Sequence, residues 1–200
     1  MNDFEYDSLI EKVKTFAKEN VDEKRFNHSV RVAETCAHIC SLHGINPKRG
    51  YLAGIAHDMC KKFCDEDLIK YASKDNKAIS ELEFSKPSLL HGRAAAVLLK
   101  EKFLFDDEEI LEAIANHTFG NAHICALAKI LFVSDKIEPG RPQSTDEYRN
   151  NLYAMSIDKM TLSVVEENLE YLQKKGKVIA QESLDFAEDL KQALLETVEN

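Results

Sequence analysis

The chain has 200 residues, 44% of them apolar and 30% charged, with a formal net charge of −9. That length suits one domain with a filled core, and the acidic balance disfavours nonspecific binding to nucleic acid or anionic membranes. Glycine and proline number only 7 and 4, which together with long 3.6-residue periodicity predicts an all-α chain.

The opening Met1-Asn2-Asp3-Phe4-Glu5 is acidic and has no apolar segment, and no run is apolar enough to span a bilayer. A cytoplasmic protein is therefore expected. The cysteines, Cys36, Cys40, Cys60, Cys64 and Cys125, are odd in number. Cys36/Cys40 and Cys60/Cys64 are spaced i, i+4 without a CxxC, and read as reduced, core-filling thiols rather than zinc ligands.

In chain order, a first amphipathic helix is expected over 4–19, with Phe4, Leu9, Ile10, Val13, Phe16 and Ala17 buried. A second covers 25–43 and stops at His43-Gly44. On it, His28 falls on the apolar flank and points inward, whereas His38 falls on the wet arc. Asn46-Pro47 starts a third helix that carries His57-Asp58 within its length. Its apolar stripe is Leu52, Ile55, Ala56, Met59 and Phe63. The opposite face carries Gly54, His57, Asp58 and Lys61, and the missing Gly54 side chain is expected to leave room beneath His57 and Asp58.

Asp65 to Tyr71 reads as a short helix, and 73–88 as a polar loop beside the pocket. His91-Gly92-Arg93 opens a helix running through Phe103. Asp106-Asp107 caps the next, which ends at His117-Thr118-Phe119-Gly120. A strongly apolar helix from about 122 to 136 ends in Ser134-Asp135. Glu138-Pro139-Gly140-Arg141-Pro142 must be an ordered turn. The remainder, about 145–198, reads as two or three amphipathic helices, with Thr145 and Ser183 as caps.

An imidazole, a carboxylate and an ammonium on one patch suit a divalent metal and a phosphate bound to it. Metal ligands drawn from several packed helices are how bundles build internal metal sites. His28, His57, Asp58 and Asp135 would fill one coordination sphere. His91 and His117 would supply a second, with Asp58 bridging through its two oxygens. Paired metals of this kind serve phosphoester hydrolysis. Each histidine taken singly also reads as structural, and Asp135 as a helix C-terminal residue bonded to Lys136 or Ser134.

The order His28, His57-Asp58, Asp135 resembles the H…HD…D signature of the HD-domain metal-dependent phosphohydrolases. The fuller set resembles the YqeK family within that superfamily. It comprises Arg25-Phe26-Asn27-His28-Ser29, His57-Asp58-Met59-Cys60-Lys61, Leu90-His91-Gly92, His117-Thr118-Phe119-Gly120 and Ser134-Asp135-Lys136-Ile137-Glu138-Pro139-Gly140-Arg141. The resemblance implies an HD-domain helical bundle forming one unit over 1–200, with a metal-site core at about 25–141 and C-terminal helices at about 145–198.

It further implies a dinuclear centre on His28, His57, Asp58, His91, His117 and Asp135, with iron expected and Mn, Co or Zn compatible. The implied activity is symmetrical cleavage of diadenosine tetraphosphate into two ADP by attack of an activated water on an inner phosphorus. His57, Asp58 and Lys61 form the expected catalytic set. Lys61 would neutralise a non-bridging oxygen, Arg141 and Arg93 would hold phosphates, and Thr118 and Gly120 would lie against them. Glu138 either touches the substrate or, the preferred reading, forms an ion pair that orders Arg141. Phe119 departs from the family, which more often has a second threonine there. The competing functions are another HD-superfamily nucleotidase or triphosphohydrolase, and a non-catalytic nucleotide-binding protein. Apolar positions on the C-terminal helices leave room for a homodimer.

Overall fold

A capping box starts the first helix: the Asn2 side chain accepts from the Glu5 N–H at 3.0 Å, and the Glu5 carboxylate accepts from the Asn2 N–H at 2.7 Å. The computed structural model describes residues 2–198, and among these the chain is helical without strands. The helices are α1 (Asp3–Asn20), α2 (Glu23–Leu42), α3 (Pro47–Ala56), α4 (Asp65–Ala72), α5 (Glu81–Ser85) and α6 (His91–Phe103). They continue with α7 (Glu108–Asn116), α8 (Ala126–Ile137), α9 (Asp146–Tyr153), α10 (Ile157–Lys174) and α11 (Gln181–Val198).

Several starts follow the cap residues visible in the sequence. Asn46 accepts from the Lys48 N–H with Pro47 behind it, Asp107 accepts from Ile110, and Thr145 from Tyr148. On α1 the buried stripe is Tyr6, Leu9, Ile10, Val13 and Ala17. Phe4 is 81% exposed, contrary to expectation. Tyr6 stands three and four residues before Leu9 and Ile10 and so joins their stripe, whereas Phe4 falls off it. The 73–88 stretch, expected to be a loop, holds α5 between 3-10 turns at 73–75 and 87–90.

The third helix is central, packed on α1, α2, α6, α7 and α8. It approaches α2 closely because Gly50 and Gly54, one turn apart, face it. A Cβ on Gly54 would lie 2.4 Å from the Ala33 Cα. Gly54 thus serves the helix crossing rather than opening space under His57 and Asp58. The helix also ends at Ala56, so His57 is its C-cap and residues 57–62 form turns. The stripe through Met59 and Phe63 is buried or half-buried, but not as one continuous helix.

The C-terminal helices complete the same core. α10 packs on α8 and α11 on α10, and the Phe186 ring meets Phe132 edge-on at 5.4 Å. The buried apolar cluster runs from Tyr6 to Leu190. Ser183 does not cap a helix. It lies inside α11 and donates its hydroxyl to the Phe119 carbonyl at 2.8 Å, tying α11 to the turn after α7.

Candidate metal centre

Four histidines and two aspartates from α2, the end of α3, the start of α6, the end of α7 and α8 converge. His28, His57, Asp58, His91 and His117 are at most 6% exposed. Asp58 is common to two ligand groups, one with His28 and His57 and one with His91 and His117. Its Oδ2 lies 3.4 Å from His57 Nε2 and 3.8 Å from His28 Nε2. Its Oδ1 lies 3.0 Å from His91 Nε2 and 3.9 Å from His117 Nε2. Each carboxylate oxygen therefore serves one group. Asp135 Oδ1 adds to the first group, 3.0 Å from His28 Nε2 and 3.8 Å from His57 Nε2.

All four imidazoles are locked the same way round. His57 Nδ1 donates to the Gly54 carbonyl at 2.6 Å, His91 Nδ1 to Ser88 at 2.8 Å and His117 Nδ1 to Ile114 at 2.7 Å. Each acceptor lies three residues back. For His57 and His117 it belongs to the last turn of a helix, where carbonyls lack an intrahelical partner. The early stop of α3 is thus what frees the carbonyl that holds His57. His28 Nδ1 instead donates to Glu138 Oε1 at 3.0 Å.

With every Nδ1 carrying the proton, every Nε2 offers a lone pair inward. His91 and His117 Nε2 face each other at 2.9 Å, an arrangement of two acceptors that needs a cation between or beside them. His28 Nε2, His57 Nε2 and Asp58 Oδ1 are buried without a hydrogen-bond partner, a costly state unless a cation satisfies them. Imidazole and carboxylate donors suit borderline divalent metals, so the residues fit a metal pair.

The electrostatics of His91 and His117 agree, whereas at His57 burial is outweighed by the Asp58 and Asp135 carboxylates, which raise the imidazole's pKa. Burial pushes the His91 and His117 imidazoles down from their ordinary range, His117 well below it with the neighbouring His57 and His91 adding to the effect. Both stay neutral, as metal ligation requires. Burial opposes ionisation of Asp58, but His57 beside it overcomes this and holds its carboxyl well below the usual range. Asp135 is likewise lowered despite burial, chiefly by the Lys136 ammonium.

Around this centre stands a layer of positioning groups. Glu138 is 2% exposed and accepts from Arg31 Nε at 2.5 Å and from the Gly140 N–H at 2.5 Å as well as from His28. Burial alone would raise its pKa, but the Arg31, His28 and Gly140 hydrogen bonds bring it down to about 2. Gly140 lacks a Cβ where the Arg31 guanidinium lies, 2.4 Å from that position. Glu138 is therefore ion-paired with Arg31. The expected pair with Arg141 is present as well, but longer, at 3.9 Å, while the Arg141 N–H donates to the Glu138 carbonyl at 2.9 Å. Arg141 also folds onto Asp135, donating to its carbonyl at 2.7 Å and its Oδ1 at 2.9 Å. Glu138→Gln is expected to weaken metal binding about ten- to a hundredfold, because an amide orients and polarises His28 less well than a carboxylate. Chelator competition against the purified chain measures this.

Two more expectations are revised. Arg93 is committed to partners outside the centre. It pairs with Asp75 at 2.7 Å and Glu83 at 3.0 Å and donates to the carbonyls of Lys77 and Ala78. Its donors are spent on pinning the 75–83 segment to α6, which leaves none for a phosphate in this arrangement. Gly120 has a φ of +73°, and a Cβ there would lie 2.0 Å from the Phe186 ring. That contact, not a phosphate, requires glycine. Thr118 lies one residue beyond His117, with its hydroxyl buried and unpartnered.

Sequence reasoning gave no role to Arg25 or Arg31, and named Lys136 only as a partner of Asp135. Arg25 donates to Asp58 Oδ2 at 2.8 Å, and Lys136 reaches Asp135 Oδ2 at 3.2 Å and the His117 carbonyl at 3.0 Å. A signal existed: Arg25 and Arg31 stand three residues either side of His28 on one helix face. Lys61 lies 3.1 Å from His91 Nε2 and 3.9 Å from Asp58.

A helical bundle that aims these imidazoles and carboxylates at one buried point is the architecture of the HD domain, and the HD domain model matches residues 25–140. The chain belongs to the HD-domain family. Over 178 residues it is 32% identical to the symmetrical bis(5'-nucleosyl)-tetraphosphatase of Staphylococcus aureus, covering 88% of this chain and 91% of that one. The enzyme of the same description from Halalkalibacterium halodurans is 28% identical, with 84% of this chain and 89% of the relative covered. A crystal structure of a predicted HD superfamily hydrolase involved in NAD metabolism from Clostridium acetobutylicum superposes with a TM-score of 0.84 at 26% identity, covering 92% of this chain and 97% of that one.

Proposed function

We propose that the chain is a symmetrical bis(5'-nucleosyl)-tetraphosphatase, a metal-dependent hydrolase that cuts diadenosine tetraphosphate into two ADP. Near-full-length similarity to enzymes of that description supports this reading, as does the HD domain. The observation that carries it is the double ligand cluster sharing Asp58. His28, His57, Asp58 and Asp135 would hold one metal and Asp58, His91 and His117 the other. Divalent metals there supply Lewis acidity and a nucleophile at neutral pH.

The chain's own cations do the rest. Arg25, Lys61, Lys136 and Arg141 gather on Asp58 and Asp135 within a protein of net charge −9. Once those carboxylates are ligating, the four cations are released to phosphate oxygens. Arg141 and Arg25 can grip them bidentately, and Lys61 and Lys136 act as point charges. Lys61 would neutralise a non-bridging oxygen on the phosphorus under attack. Burial lowers the pKa of the Lys61 ammonium, and the nearby Asp58 opposes that fall. Lys61→Ala is expected to lower kcat/KM about 10²- to 10³-fold with metal content unchanged.

On the same reading, the resident metal is iron and residues 1–200 act as one unit. The enzyme works in the cytoplasm, consistent with five unpaired cysteines. Exposed Leu184 and Leu195 on α11 support a homodimer. Product analysis tests the activity. ADP as the sole nucleotide product supports it, and AMP with ATP counts against symmetrical cleavage.

A further inference from the structure

Residues close in sequence to His91 and His117 help to line a partly open cavity of about 160 Å³, walled by the 77–93 segment, the turn after α7 and α11. Two wall residues lie close to candidate ligands in the chain: Thr118 directly follows His117, and Arg93 is two residues past His91. The charges of this cavity cancel. Arg93 and Glu83 neutralise each other at 3.0 Å, leaving one lysine, Lys77, and one glutamate, Glu182. The metal centre, by contrast, is ringed by four cations, so a polyphosphate belongs there and not here.

The cavity has hydrogen-bonding capacity to spare. Thr118 Oγ1 is buried with no partner, a state that a ligand would relieve. The Asn116 amide nitrogen is spent on the Glu112 carbonyl at 2.9 Å, and the Asn121 amide oxygen on the Ala122 N–H at 2.9 Å. The opposite end of each amide has no partner among the described residues. Phe119 supplies an aromatic wall, at the position where the family resemblance leads one to expect threonine.

We propose that this cavity seats one nucleobase of the dinucleotide, stacked on Phe119 and read at its edge by Thr118, Asn116 and Asn121. The proposal rests on the phosphohydrolase reading of the adjoining centre. A flat, neutral heteroaromatic ring carrying both donors and acceptors matches a charge-balanced cavity with one aromatic wall. The phosphates then run from the cavity to the cations, and the second nucleoside lies outside the cavity. A product nucleoside diphosphate is therefore held at both ends, and inorganic pyrophosphate at one.

The test is calorimetric titration of the metal-loaded full chain with ADP and, separately, with inorganic pyrophosphate. Phe119→Ala is expected to raise the Kd of ADP about tenfold through lost stacking. Thr118→Val, which removes only the hydroxyl, is expected to raise it about fivefold. Pyrophosphate should bind both variants as it binds the wild type. ADP binding unaltered in both variants overturns the proposal, as does pyrophosphate weakening in step with ADP. These titrations need no turnover. A wild-type chain that fails to cleave diadenosine tetraphosphate would sink the hydrolase reading separately.

Discussion

Asp58→Asn is expected to empty the centre of metal and lower turnover by at least about 10³-fold. Metal Lewis acidity contributes several kcal/mol to phosphoester hydrolysis, and each ~1.4 kcal/mol is tenfold in rate. Among the described residues, the aspartate is the only one common to both ligand groups. Its two oxygens are divided between them, Oδ2 toward His57 and Oδ1 toward His91. An asparagine keeps the size but not the charge, and it must turn an NH2 toward one of the two groups. No other carboxylate belongs to both groups, and Asp135 reaches only the His28 and His57 side. Elemental analysis of the purified variant alongside a turnover assay decides the matter. Two metals per chain with wild-type turnover would remove Asp58 from the mechanism altogether.

Gly54→Ala is expected to destabilise the fold by about 3 kcal/mol, at the upper end of what overpacking a close-packed core costs. In an ordinary helix interior the same substitution stabilises by roughly 0.5–1 kcal/mol, so the sign alone discriminates. The added Cβ would lie 2.4 Å from the Ala33 Cα and 2.7 Å from its nitrogen. These are backbone atoms, which cannot rotate aside as a side chain can. The α2–α3 crossing would have to open, carrying His28 on α2 away from His57 at the end of α3. Stability and metal affinity should therefore fall together. Denaturant unfolding gives the free energy, and a variant more stable than wild type would show that the two helices do not cross as described.

The strands of inference that survived intact are local ones. The starts of α3, α7 and α9 were legible because Asn46, Asp107 and Thr145 satisfy backbone donors within their own first turn. The inward turn of His28 was legible because 3.6-residue periodicity alone decides which arc of α2 is buried. The six candidate ligands were legible as metal-ligand residue types at comparable places on the helices, and the motif resemblance then joined them into one set. Where periodicity was pushed further it failed. It ran α3 through His57, because the apolar stripe continues past Ala56 although the helix does not.

The sequence by itself determined an all-helical chain, most of its helix starts and the roster of imidazoles and carboxylates, since these depend on spacing and on neighbours a few residues away. Only the tertiary structure decided which long side chain meets which partner. Glu138 takes Arg31 and His28 across 107 and 110 residues. Arg93 is drawn to Asp75 and Glu83 rather than to phosphate. Gly54 answers to Ala33 on another helix. A flexible cation has several acceptors within reach along the chain, and its choice among them is made by the packing of helices that no local pattern encodes.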